Sequence, residues 1–199
     1  AAVGGKIREL SEILAKEPAK FAEVDKDKCV GCLTCLRLCP HGAIDIDREN
    51  EAAVISVAAC QACGICAGHC PAVAIEMKGF EELKADTKKV VFACENSGYP
   101  ATEQTDIIKD KNIKIIEVPC AGKIDVREIL KVVENGARDV IIAGCHSQSC
   151  KYLDGSDRAR KRIEHLKDQL SKAGVENVRI RFGTLTAFET KQLMELVNS

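Results

Sequence analysis

Short alternating bursts of apolar residues mark the first eighty positions. GAIDID at 42–47 and AVAIEM at 72–77 alternate in the manner of short, half-buried strands. AIDID, a polar RENEA turn and AVISV read in order as a hairpin. From residue 88 the pattern changes. KVVFAC, IKIIEVPC and DVIIAGC are continuous β-branched runs, VRIRFGT is a weaker fourth, and helical patterns separate them. Asp125 and Glu128 make a helix-start pair, followed by Val126, Ile129, Leu130 and Val133 on one face and by Gly136 as a stop. Residues 156–173 repeat this with Ala159, Ile163, Leu166 and Leu170, ending at Gly174, and Thr186 with Glu189 is read as opening a last helix. The segment 100–110 shows no clear period. Strand alternating with helix predicts an α/β domain over 88–199 with a parallel four-stranded sheet and right-handed crossovers.

Charge narrows the function little. Of 199 residues, 29 are Lys or Arg and 30 are Asp or Glu, so no general attraction to nucleic acid or anionic membrane is expected. No apolar run is long enough to span a bilayer, and AAVGGKIREL lacks the apolar core of a secretion signal, which predicts a cytoplasmic chain. Twelve cysteines in a reducing compartment point to metal or redox chemistry rather than disulfides.

Their spacing is specific. Cys29, Cys32, Cys35 and Cys39 precede Pro40, and Cys60, Cys63, Cys66 and Cys70 precede Pro71, so C-x2-C-x2-C-x3-C-P occurs twice. Three closely spaced thiolates wrap one cubane while the fourth reaches the other, as in two-cluster ferredoxins. Cluster I is thus expected on Cys29, Cys32, Cys35 and Cys70, and cluster II on Cys60, Cys63, Cys66 and Cys39. Gly31, Gly64 and Gly68 are read as letting the backbone approach the sulfides. His41 and His69 are read as spacers, since the thiolates already complete both sets. Residues 24–79 resemble the bacterial ferredoxin pattern, which predicts an α+β ferredoxin-like two-cluster module over 24–80, preceded by an N-terminal helix or linker over 1–23.

The remaining thiols sit in AGCHSQSCKY and at the ends of two other predicted strands. Cys94, Cys120 and Cys145 each close a strand, and a parallel sheet brings all its strand C-termini to one edge, where such folds bind ligands. Cys150 lies in the loop beyond. Four thiolates there suit a 2Fe-2S cluster. A redox-active Cys145/Cys150 pair, a zinc site and inert buried cysteines remain alternatives. His146 is a further candidate ligand, though a lone histidine is more often a loop residue. Lys123, Lys151, Arg158, Arg160 and Lys161 form either a docking patch or, more simply, a solvated face.

Residues 90–197 resemble the delta subunit of methyl-viologen-reducing hydrogenase. VVFAC, VPCAGKID, GCHSQSCKYLDGSDRARKR and LSKAGVENVRIRF carry the likeness. The resemblance implies an electron conduit with a 2Fe-2S cluster. Many relatives have a second cysteine shortly after the first, where this chain has Ser97 in CENSGYPA. KIRELSEILAKEP and AEVDKDKC look like the C-terminal tail of the A subunit of heterodisulfide reductase, a flavoprotein ending in a two-cluster module. A related fusion occurs in the B subunit of the quinone-interacting membrane-bound oxidoreductase. No G-x-G-x-x-G follows a strand here, so any FAD is expected in a partner or in a missing N-terminal domain. The chain is accordingly expected to be a piece of a longer flavoprotein or a free-standing adaptor. It would relay electrons between a flavoprotein and a hydrogenase, a formate dehydrogenase or a quinone-linked oxidoreductase within a multi-subunit complex. Two readings of other classes are a thiol-disulfide enzyme using Cys145 and Cys150, fed by the cubanes, and a regulatory scaffold without turnover.

Overall fold

Ile44 and Ile46 alternate with Asp45 and Asp47, and this alternation becomes a strand with one face on the core. The computed structural model describes residues 20–80 and 86–199, so the first nineteen residues of the helix or linker expected over 1–23 lie outside the described residues. Strand β2 (Ile44–Asp47) pairs antiparallel with β3 (Ala52–Ile55), the hairpin read from the sequence. β1 (Phe21–Val24) pairs antiparallel with β4 (Ile75–Lys78), so residues 21–23, expected in the linker, belong to a strand. Each cysteine motif carries a short helix, α1 (Thr34–Leu38) or α2 (Ile65–Gly68). The two halves repeat each other with a shift of 31 residues, as from Cys29 to Cys60. Three left-handed backbone positions recur at that shift: Gly31 (φ 62°) with Ala62 (φ 53°), Leu33 (φ 60°) with Gly64 (φ 74°), and Gly42 (φ 60°) with Val73 (φ 57°). The loop path therefore demands this conformation even where an ordinary side chain must adopt it, at about 1–2 kcal/mol per residue.

The second half is built on four parallel strands, β5 (Lys89–Cys94), β6 (Ile113–Val118), β7 (Asp139–Gly144) and β8 (Arg179–Thr184), in the spatial order β6-β5-β7-β8. The two central strands are buried on both faces, which is why they read as unbroken apolar runs. Val90, Phe92, Val140 and Ile142 face α4 (Val126–Glu134) and α5 (Gly155–Lys172). Val91, Ala93, Ile141 and Ala143 face α3 (Gly98–Glu103) and α6 (Thr190–Asn198), which makes three layers. The segment without a clear period holds α3 and a 3-10 turn at Asp106–Lys109.

Helix starts and stops follow local chemistry. Asp125 and Glu128 form a reciprocal capping box on α4, and Gly136 (φ 112°) and Gly174 (φ 72°) adopt the left-handed conformation just past α4 and α5. Asp125→Ala should lower stability by about 1 kcal/mol, read as a lower urea midpoint at unchanged slope. Thr186 does not open the last helix. The Glu189 carboxylate turns back to accept from the Thr186 N–H (2.6 Å), and α6 starts one residue after Glu189. That makes the intervening residues a separate turn.

The two halves meet through small residues. A Cβ on Gly68 would lie 2.6 Å from the carbonyl oxygens of both Gly122 and Lys123, and one on Gly122 would lie 2.9 Å from Gly155 Cα. One on Gly64 would meet the Lys123 side chain at 2.4 Å. Gly64 and Gly68, expected to admit sulfides, thus also flatten α2 against the 3-10 turn Ala121–Lys123. Ile65 between them is fully buried. Arg162 on α5 clips the seam, donating to His69 across it and to the Gly122 and Ile124 carbonyl oxygens.

Candidate iron–sulfur sites

Eight thiols of the first half gather in two groups, and each group borrows one member from the other motif. The Cys35 thiol is pushed up by burial and by the neighbouring Cys32, Cys70 and Cys29. Burial pushes Cys66 up to about 12, with Cys63, Cys60 and Cys39 adding to it. One small cavity is lined by Cys29, Cys32, Cys35 and Cys70, another by Cys39, Cys60, Cys63 and Cys66. The loops aim amides at sulfur: Ala53 N–H donates to Cys29 Sγ (3.5 Å), Ala43 to Cys39 (3.4 Å) and Ala74 to Cys70 (3.2 Å). Sulfurs that accept N–H groups and face one another are chemically suited to thiolates around a cationic iron core. The hairpin supplies Ala53, which explains why it sits between the two motifs.

The other four thiols converge at the C-terminal edge of the parallel sheet. β5 is the first strand in chain order, and its neighbours β6 and β7 lie on opposite sides, so the crossover direction reverses between β5 and β7. Ligand crevices form at that kind of reversal. Cys94 closes β5 and Cys145 follows β7, and their sulfurs are 3.6 Å apart. Cys150 lies near enough to Cys120 and Cys145 for the three to perturb one another: these two hold Cys150 well below the ordinary thiol range, while Cys150 pushes both of them up. Cys145 brings Cys94 down to about 6. Cys94 and Cys145 thus stand sulfur to sulfur, with Cys150 and Cys120 in their neighbourhood. Four such neighbours cannot all ionise without a positive centre among them.

Backbone amides converge on this group. The Gly122 N–H donates to Cys120 Sγ (3.4 Å), and the backbone amides of Asn96 and Ala121 help to lower the Cys94 thiol, as those of Ser156 and Tyr152 do for Cys150. Cys120 Sγ lies against Gly155, the first residue of α5, where a Cβ would be 2.4 Å away. Gly155 therefore makes room for a sulfur, a role that periodicity does not reveal. All twelve cysteines are free thiols, so the donor set fits an iron–sulfur group at each of the three places.

Between the second cavity and the sheet edge stands a dry wall. Cys63, Ile65, Cys120 and Tyr152 form one buried apolar cluster, with Leu38 against it. The His41 ring stands edge-on to Tyr152 at 5.5 Å between centroids. Burial pushes the Tyr152 hydroxyl up to about 12, with Cys63 on one side and Cys120 and Cys94 on the other among the charges it feels. Neither Ile65 nor Tyr152 stood out in the sequence, because each gains its role only when the halves meet. His69 accepts from Arg162, and His146 is paired with Glu189 at 3.0 Å. Most of the expected basic patch is neutralised at home: Lys123 by Glu128, Arg158 by Asp154 (2.6 Å), and Arg160 by Asp157 and Glu164. Lys151 lies over the Tyr152 ring at 5.3 Å. The solvated-face reading therefore fits Arg158 and Arg160 better than a docking patch, whereas the Lys123 side chain is packed into the seam beside Gly64.

Comparison with known proteins finds two matching families along the chain. Residues 22–71 match the 4Fe-4S dicluster domain, and residues 90–199 match the family described as methyl-viologen-reducing hydrogenase, delta subunit. The A subunit of the ferredoxin:CoB-CoM heterodisulfide reductase of Methanosarcina mazei is 31% identical over 192 residues, 88% of this chain and 24% of that protein. The chain thus spans about a quarter of that relative's length. The iron-sulfur D subunit of the F420-non-reducing hydrogenase of Archaeoglobus profundus is 29% identical over 111 residues, covering 54% of this chain and 81% of that one. Pyruvate synthase subunit PorD of Methanothermobacter marburgensis is 47% identical over 55 residues, 28% of this chain and 62% of its own. Among the described residues no helix is long and apolar enough to cross a membrane. With its second half matched from the first sheet strand to the last residue, the chain belongs to the methyl-viologen-reducing hydrogenase delta-subunit family and carries a 4Fe-4S dicluster domain ahead of that part.

Proposed function

We propose that the chain is an electron relay holding two 4Fe-4S clusters and one 2Fe-2S cluster. Cys29, Cys32, Cys35 and Cys70 would hold the first cubane, Cys60, Cys63, Cys66 and Cys39 the second, and Cys94, Cys120, Cys145 and Cys150 the 2Fe-2S cluster. The observation that carries this reading is the meeting of four thiols from three loops at one sheet edge, with the Gly122 amide donating to Cys120 among them. Cys94 and Cys145 stand sulfur to sulfur with Cys120 and Cys150 near them, a set of four thiols that suits a two-iron core. Such clusters, when bound, supply one-electron carriers. The protein's own residues ligate, donate N–H groups to sulfur and keep water out: Ile65 and Tyr152 seal the ground between Cys63 and Cys120.

On this reading the ferredoxin-like module ends near residue 80 and a delta-subunit-like domain begins near 88. The names of the relatives support a place among heterodisulfide reductase and hydrogenase subunits. The partners would be a heterodisulfide reductase A-like flavoprotein and a hydrogenase, formate dehydrogenase or quinone-linked oxidoreductase. FAD would belong to a partner or to a further domain. A thiol-disulfide enzyme is less well supported, because Cys150 is perturbed by Cys120 as well as by Cys145 and the two do not stand apart as a pair.

Anaerobic reconstitution with iron and sulfide analysis tests the reading. About ten irons per chain are expected, from two four-iron clusters and one two-iron cluster, against about eight for the thiol enzyme. Chelation should remove them in order. Cys32 is exposed, whereas Cys63 and Cys66 are buried, as are Cys94, Cys120 and Cys145. A cubane signal should therefore fade first and the 2Fe-2S signal last; a protein that never shows a 2Fe-2S spectrum would refute the relay of three.

A further inference from the structure

Ser97 is 2% exposed, and its hydroxyl has no hydrogen-bond partner. It occupies the residue before α3, where a serine ordinarily accepts from an amide of the first turn. It makes no such cap. The third helical position is Pro100, which has no N–H to offer. The backbone fixes the residue in place all the same: Ser97 N–H donates to the Cys94 carbonyl oxygen at 3.0 Å, and a Cβ on Gly98 would lie 2.7 Å from Ala143 on β7, so the turn is pressed onto the sheet. The turn thus sets the hydroxyl beside the two strand ends that carry Cys94 and Cys145. A buried hydroxyl without a partner is costly, and natural folds rarely keep one without a use.

We propose that Ser97 is a positioning and tuning residue for the sheet-edge cluster, its hydroxyl donating a hydrogen bond to the sulfurs of Cys94 and Cys145. Once those sulfurs are thiolates they are acceptors only, so the hydroxyl can serve them only as a donor. A donor aimed at ligand sulfur stabilises the more negative, reduced state and raises the potential. The inference rests on the reading of these four thiols as cluster ligands.

Its test uses the reconstituted full chain with Ser97→Ala and, as rescue, Ser97→Thr, which keeps the hydroxyl. The 2Fe-2S midpoint is read by EPR-monitored titration, and the exchangeable proton near the cluster by its hyperfine coupling in water against deuterium oxide. Ser97→Ala should keep the iron content, lose that coupling and shift the redox equilibrium about tenfold toward the oxidised form, ~59 mV for one electron. Ser97→Thr should restore both. An unchanged midpoint with the coupling retained in Ser97→Ala would overturn the donor role alone. A cluster lost in Ser97→Ala but kept in Ser97→Thr would overturn it in favour of oxygen ligation. Absence of any 2Fe-2S signal from the unmodified chain is a different result, which removes the parent reading and this inference together.

Discussion

Cys120→Ser is expected to leave about eight of ten irons and to abolish the 2Fe-2S spectrum while both cubane signals stay. Cys120 is the thiol for which the structure makes the most specific room: it is 1% exposed, receives the Gly122 N–H and presses on Gly155 where no other residue type fits. A serine is no larger, so packing survives and the lost sulfur is the main change. Because an alkoxide can occasionally stand in for a thiolate, Cys120→Ala is the companion variant, and it should give the same iron count. Mössbauer spectra of both variants check the result. If the two-iron component persists in Cys120→Ala, the ligand set is wrong.

Gly68→Val should loosen the seam between the halves without removing iron from either. The residue has ordinary helical geometry, so a side chain is tolerated by the backbone, yet its Cβ alone would lie 2.6 Å from two carbonyl oxygens. Backbone cannot move aside as a long side chain can, and overpacking of this kind costs about 1–3 kcal/mol. The Lys123 and Ile124 amides, which donate to the Cys120 and Ala121 carbonyl oxygens at 3.0 Å, should then exchange hydrogen about tenfold faster or more. The magnetic interaction between the second cubane and the 2Fe-2S cluster should weaken in step. Unchanged exchange at both amides would mean that the seam does not depend on this contact.

How much of this was readable in the chain depends on whether the physics is local. The doubled C-x2-C-x2-C-x3-C-P spells out its own cross-over, and thiols at strand ends are gathered by the geometry of any parallel sheet, so the groups around Cys35, Cys66 and Cys145 could be anticipated. The capping box at Asp125 is equally local. Gly68, Gly122 and Gly155 are another matter. Their lack of a side chain answers a surface that comes from a distant stretch of chain, and nothing nearby in sequence signals it. Ser97 drew notice in the sequence through its closeness to Cys94, and its isolation from any cap needed the backbone. Thr186 misled because a Glu three residues on makes the expected contact without a helix between them.

Leu33, Ala62 and Val73 hold left-handed backbone in the loops around the first eight thiols. For three ordinary side chains that is several kcal/mol in total, a large part of what a domain of this size normally has in reserve. The small hairpins and two short helices beside them bury little to offset it, whereas the sheet half has its own three-layer core. On the proposed reading, an iron core bonded to the cysteines beside these positions would also help to hold the strained loops, so iron binding would contribute to the stability of the front of this molecule.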